Sequence, residues 1–142
     1  GVSGGSGIDI KDLDFSNETV NDTQKKIVAV ATNSAKYGIS ARSGYCQAWV
    51  ADVYQAVTGS RGSAHCALCA ADMWAVSSDF SQIPVGATVY GYSSSQYGHV
   101  GIYIDNGMVA HNIGEIKIQS LESWIKTYQG FAWGWENGYV IM

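Results

Sequence analysis

Apolar residues recur along this chain with two different periods, and the change falls near Ile83. In the first part Ile27, Val28, Ala31 and Ala35 stand at helical spacing. Asn21 precedes them with Gln24 three residues on, the capping-box arrangement, so a first helix is predicted to start near Asn21 and to end at Tyr37-Gly38. Cys46, Trp49, Val50, Val53, Tyr54 and Val57 form a single helical stripe with Gly59 as its stop, which makes this second helix the most regular in the chain. A third helix is predicted over residues 64–76, with Ala67, Leu68, Ala71, Trp74 and Ala75 on one side. Beyond Ile83 the period becomes two. Pro84-Val85-Gly86 reads as a turn and residues 88–92 as a strand; Val100, Ile102 and Ile104 then alternate with Gly101, Tyr103 and Asp105 up to a hairpin signal at Asp105-Asn106-Gly107. Further strands are predicted at residues 109–112, 115–119, 131–135 and 139–141, with one short helix at 121–127. Helices followed by an antiparallel meander of about six strands indicate the α+β class.

Composition narrows this picture without altering it. A chain of 142 residues is a single domain's length and can bury roughly 70% of its unfolded surface, enough to fold without a disulfide or metal staple. Charged residues make up 14%, while Gly (17), Tyr (9) and Trp (5) are frequent, as in a compact, turn-rich domain. The net charge is −4 and Lys and Arg do not cluster, so neither nucleic acid nor an anionic membrane is an electrostatic partner. No apolar run approaches the ~18–20 residues of a membrane span. Gly1–Gly7 has linker composition and no signal peptide or initiator Met is visible, so residues 1–16 are read as a lead segment and 17–142 as one domain of a longer protein.

The candidate chemistry centres on Cys46. It falls in the first turn of the second helix, where unpaired N–H groups and the helix dipole favour a thiolate. It also heads the apolar stripe, and packing as a small hydrophobe is the competing role. A nucleophilic thiol needs a base, and the chain offers His65, His99 and His111. His65 is remote from any strand and is expected at the surface or in a cap. His99 opens a strand directly after the polar segment Tyr92–Gly98, a position suited to a catalytic imidazole or to an ordinary edge histidine. Hairpin register decides its partner. With a two-residue Asn106-Gly107 loop, Ile102 faces His111 and Asn112 shares the His99 face; with Asp105-Asn106-Gly107 as the loop, Gly101 faces His111 and the two histidines are diagonal neighbours.

Several of these segments resemble a known family. Residues 98–111 (GHVGIYIDNGMVAH) resemble the His-containing hairpin of NlpC-type cell-wall cysteine peptidases, a papain-like fold. Residues 83–90 (IPVGATVY) resemble the turn and strand before it, and Tyr37-Gly38 with Gly44-Tyr45-Cys46 resemble the loop leading to the nucleophile helix. The resemblance spans residues 23–141. It implies Cys46 as nucleophile, His99 as base and His111, twelve residues after His99, as the third member, and it favours the three-residue loop. The flanks depart from the pattern: Tyr45 stands where the family usually has Asp, and Gln47-Ala48 where it has Ser-Gly. GYCQAWVADVY is closer to the related CHAP amidase and endopeptidase group, which leaves Asn112 as a substitute third residue. Tyr37 and Tyr45 are the implied oxyanion or substrate residues. The implied activity is hydrolysis of stem-peptide bonds in bacterial peptidoglycan, with D-Glu to diamino acid the expected bond. An amidase or cross-bridge endopeptidase, an acyltransferase on the same fold and an inactive wall-binding module are the alternatives. No cofactor or metal is implied, the place of action is the cell wall or outside the cell (or a phage-borne lysin), and a wall-targeting or glycan-cleaving domain is the expected fusion partner.

The remaining motifs carry less. His65-Cys66-Cys69 lacks a second ligand pair for zinc, and a Cys66–Cys69 disulfide within one helix would be strained unless the helix began later, so packing is expected for both thiols. Gly1-Val2-Ser3-Gly4-Gly5 matches a nucleophile elbow without the strand and helix that elbow needs. The sequons at Asn17 and Asn21 have no role in a wall enzyme, and the second is explained by helix capping. Phe131, Trp133 and Trp135 read as core aromatics of a late strand.

Overall fold

The structure, a computed structural model, describes residues 20–142. The lead segment 1–16, the Gly-rich elbow-like motif and the Asn17 sequon lie outside the described residues. Helix α1 (Asp22–Thr32) opens on the capping box read from the sequence: the Asn21 side chain accepts from the Gln24 amide and the Gln24 side chain accepts from the Asn21 amide, each at 2.8 Å. Such a cap contributes about 1 kcal/mol. Both side chains also reach beyond the helix, Asn21 donating to the Ile141 carbonyl and Gln24 to that of Val85. A single 3-10 turn, Ser34–Tyr37, then stops at Gly38. Helix α2 (Cys46–Thr58) ends at Gly59, and Trp49, Val50, Val53 and Tyr54 of its stripe are all fully buried.

Six antiparallel strands form one sheet in the order β1-β6-β2-β3-β4-β5. They are β1 (Ala75–Ser77), β2 (Thr88–Gly91), β3 (His99–Asp105), β4 (Met108–Asn112), β5 (Ile116–Ser120) and β6 (Ala132–Gly134). Helix α4 (Leu121–Tyr128) leads from β5 to β6. Alternation along β3 and β4 sends Val100, Ile102, Ala110 and Asn112 to one face and His99 and His111 to the other. Asn112 reaches the loop before α2, so the first face is the α2 side. Trp124 and Tyr128 of α4 cover the second.

The hairpin combines features of both loops considered above. Asp105 pairs with Met108 across a two-residue Asn106-Gly107 turn, but a register shift between Tyr103 and Asp105 restores the pairs Tyr103↔Val109 and Ile102↔Ala110. Asp105, Asn106 and Gly107 all have positive φ, at 108°, 53° and 69°. The bulge absorbs the extra residue, and Gly101 therefore lies opposite His111.

Three local expectations need correction. Helix α3 runs Ala67–Trp74, shorter at both ends than 64–76. The residues after it form strand β1 on β6, because Gly134 lets the chain approach: a Cβ there would stand 2.2 Å from the Trp74 carbonyl oxygen. Residues 139–141 are not a strand. Asn137 and Gly138, both with positive φ, turn the chain away after Trp135, and β1 already occupies the edge of β6. Ile141 instead buries against Gly86. The third correction concerns the two thiols, since Cys66 and Cys69 form a disulfide with Cα atoms 5.0 Å apart. The later helix start provides for it: Cys66 is the extended N-cap residue of α3, outside the helix that holds Cys69. Of the late aromatics, Trp135 is buried, whereas Trp133 is half-buried and donates its indole N–H to the Asp79 carbonyl at 2.9 Å.

Candidate active site

Cys46 is the one cysteine outside the disulfide. The loop before α2 delivers it to the helix start, and Asn112 anchors that loop by donating to the carbonyls of Arg42 at 2.8 Å and Tyr45 at 3.3 Å. Burial raises the thiol pKa above its ordinary value. The amides of Val100, Gln47 and Cys46 itself work in the opposite direction, favouring the thiolate. The Val100 amide follows His99 directly in β3, so the sulfur lies against the start of that strand.

His99 and His111 are both buried, and Nε2 of His99 lies 2.8 Å from Nδ1 of His111. Nε2 of His111 in turn lies 3.0 Å from Oε1 of Gln119. Tyr128 stacks on the His99 ring at a centroid distance of 4.2 Å, and Trp124 adds an edge contact to His111. Gly91, paired with His99 across β2 and β3, makes this cover possible: a Cβ there would stand 2.6 Å from the Tyr128 carbonyl oxygen. Desolvation and then the neighbouring His111 hold His99 down to about 4. Desolvation likewise holds His111 down to about 4, against its hydrogen bond to the Gln119 carbonyl oxygen. Both rings are therefore held neutral at pH 7, the form in which an imidazole can accept a proton.

Beside the thiol opens a cleft of about 270 Å³ whose lining includes Tyr45, Gln47, His65, Cys66 and Tyr97. His65, expected at the surface, is exposed and stands on this rim. Tyr45 lines the cleft, its ring stacked under Arg42 at 4.2 Å. Tyr37 is not among the lining residues and packs against the core instead. Asn112 faces the α2 side and reaches neither histidine; its carbonyl oxygen accepts from the Gly114 amide. Among the described residues no group of three or more His, Cys, Asp or Glu could hold a metal ion, and no helix is long and apolar enough to cross a membrane.

Neither a family model nor a curated protein matches the sequence. Solved structures do match its shape. The NlpC/p60 domain of the peptidoglycan hydrolase SagA aligns over 81% of this chain and 98% of its own length, with 22% identity and a TM-score of 0.57. The chain has an NlpC/p60 fold. An NLP/P60-family lipoprotein-like protein of Staphylococcus aureus aligns over 84% of this chain with 19% identity and a TM-score of 0.59. NlpC2 of Trichomonas vaginalis aligns over 85% with 17% identity and a TM-score of 0.57. The chain spans only 44% and 49% of the length of those two proteins. On this NlpC/p60 frame, helices on a six-stranded antiparallel sheet are the architecture expected of the sequence.

Sequence reasoning missed Gln119, Trp124 and Tyr128. One signal was available: Trp124 and Tyr128, like Ser123 and Thr127, stand four apart on a short helix, which places an aromatic row and a hydroxyl row side by side.

Proposed function

We propose that this protein is a peptidoglycan hydrolase, a cysteine endopeptidase that cuts the stem peptide between D-Glu and the diamino acid. Cys46 is the nucleophile, His99 the base and His111 the group that orients it. The observation that carries this reading is the one free thiol, at a helix start and against the amide of the residue that follows His99, together with a buried pair of hydrogen-bonded imidazoles. The NlpC/p60 fold and the activity named for SagA support the substrate class.

The resting site holds a neutral thiol and neutral rings, because burial disfavours every charge in it. With substrate bound, His99 takes the thiol proton as sulfur adds to the scissile carbonyl carbon. The oxyanion accepts from the Cys46 amide at the helix start, a donor whose loss typically raises such a barrier by roughly 3–4 kcal/mol. His99 returns the proton to the departing amine, and a water it then deprotonates opens the thioester. Tyr45 lines the cleft, which supports it as the tyrosine that contacts substrate. The site acts on the cell wall, and a further domain of the full-length protein supplies wall targeting or glycan cleavage.

Mass spectrometry of fragments released from purified peptidoglycan tests this, with Cys46→Ala as control. New amino termini on the diamino acid are expected. Free muramic acid carboxyls with intact stem peptides, acyl conjugates in place of free acids, or no release at all would each overturn the reading.

A further inference from the structure

We propose that Gln119 is a positioning residue that selects the tautomer of both imidazoles and so leaves Nδ1 of His99 as the basic atom of the site. This rests on the reading of Cys46 and His99 as nucleophile and base, and it extends the machinery by a member outside the three residues so far assigned.

A chain of hydrogen bonds carries the inference. The Thr127 hydroxyl donates to the Ser123 carbonyl at 2.9 Å, which uses its only proton. Its oxygen, 3.2 Å from Nε2 of Gln119, therefore accepts. The Ser123 hydroxyl oxygen takes the second amide proton at 2.8 Å. With its nitrogen held on α4, Gln119 turns its carbonyl oxygen to His111 Nε2 at 3.0 Å. A carbonyl can only accept, so His111 carries its proton on Nε2 and has a lone pair on Nδ1. That lone pair faces Nε2 of His99 at 2.8 Å, so His99 must donate there. The one ring atom of His99 left without a proton is Nδ1. Neutral rings, held so by burial, are the state in which this selection operates.

Reversing the amide would invert every step. An N–H facing His111 would require a lone pair on its Nε2 and a proton on its Nδ1, and His99 would then carry its proton on Nδ1, where it cannot accept one from a thiol. The wrong tautomer in a triad of this kind is severely inactivating. Two hydroxyls one helical turn apart on α4 hold the productive orientation.

The test reads tautomers directly and needs no turnover. In Cys46→Ala protein labelled with ¹⁵N-histidine, two-bond ¹H–¹⁵N correlation spectra at pH 7.5 should show both rings protonated on Nε2. A His99 ring protonated on Nδ1 would overturn the proposal, and this spectrum decides the matter even if no Gln119 variant folds. In Gln119→Leu on the same background, His111 should populate both tautomers. Gln119→Glu keeps the acceptor and should keep the Nε2–H form. In protein with Cys46 intact, the iodoacetamide alkylation rate at pH 7.5 should fall roughly tenfold in Gln119→Leu and return to within about threefold in Gln119→Glu. Equal rates in all three proteins would also overturn it. Correct tautomers in a protein that releases no wall fragments would remove the hydrolase reading and leave Gln119 in place; wall hydrolysis with His99 protonated on Nδ1 would do the reverse.

Discussion

Cys46 lies between two polar clusters that differ in how completely their buried members are hydrogen-bonded. On the α4 side, His99, His111, Gln119, Ser123 and Thr127 form a continuous network, and neither histidine nor Gln119 has a buried polar atom without a partner. On the other side, Gln47, next to Cys46, donates to Oε1 of fully buried Glu136 at 2.8 Å, while Oε2 of Glu136 and Oε1 of Gln47 have no partner. A satisfied network holds one arrangement, whereas a half-satisfied one costs desolvation and responds to protonation. Burial accordingly pushes the Glu136 carboxyl up to about 7, against the Gln47 hydrogen bond and the attraction of Arg61. One cluster is built to be invariant near neutrality; the other titrates there.

Removing Cys46 or the histidines of the satisfied cluster should have the largest effects. Cys46→Ala should abolish wall hydrolysis, and His99→Ala should lower kcat by roughly a thousandfold or more. His111→Ala should cost less, on the order of a hundredfold, because in the proposed mechanism it orients the base without touching substrate. Initial rates of fragment release with KM measured separately check this, and the loss should fall on kcat. A His111→Ala enzyme as active as the parent would break the network reading.

Acid should separate the clusters next. Both histidines have native pKa values depressed below the ordinary 6.5, so the unfolded chain binds more protons between about 4 and 6.5. The stability they contribute is fully present above pH 6.5 and is lost as pH falls towards 4, on the order of several kcal/mol for the pair. Glu136 has the opposite sign. Its native pKa is raised, so its contribution is intact below about 4.5 and is lost as pH rises through about 7. Urea unfolding from pH 4 to 8 should therefore give a maximum near neutrality. Glu136→Gln should remove the upper limb, raising stability by about 2–3 kcal/mol at pH 8 and changing little at pH 4.5. A variant equally altered at both pH values would show that Glu136 does not titrate in this window.

The same contrast separates what could be read from the sequence from what could not. The Asn21 capping box and the α2 stripe were legible because their partners lie within a few residues. The β3–β4 hairpin was legible apart from its bulge, because alternation limits the register to a few choices. Strand β1 was hidden: Ala75–Ser77 continues a helical pattern, and its partners Trp133 and Gly134 lie far along the chain. The Cys66–Cys69 bond depended on an extended backbone at Cys66 that a periodic helix does not reveal. At the site, the positions of Cys46, His99 and His111 followed from local pattern and resemblance. Gln119 and Tyr128 did not, because they belong to β5 and α4 and meet the histidines only when that segment closes over the sheet.

The smallest predicted effect tests adjacent residues that sequence alone left in competition. His111 and Asn112 are neighbours on β4, and alternation sends them to opposite faces. His111 meets His99, whereas Asn112 holds the carbonyls of Arg42 and Tyr45 on the loop that delivers Cys46. Asn112→Ala removes two donated bonds and leaves those acceptors to find water, so stability should fall by about 1–2 kcal/mol. Its activity loss should be a few-fold and should appear as slower Cys46 alkylation at every pH, since the loop and not the base is disturbed. His111→Ala should instead change the pH profile of alkylation, because the ring it removes helps hold His99 below its ordinary pKa. If Asn112→Ala shifted that profile and His111→Ala did not, the third residue would be Asn112, and the satisfied cluster on the α4 side would be a packing feature with no part in the chemistry.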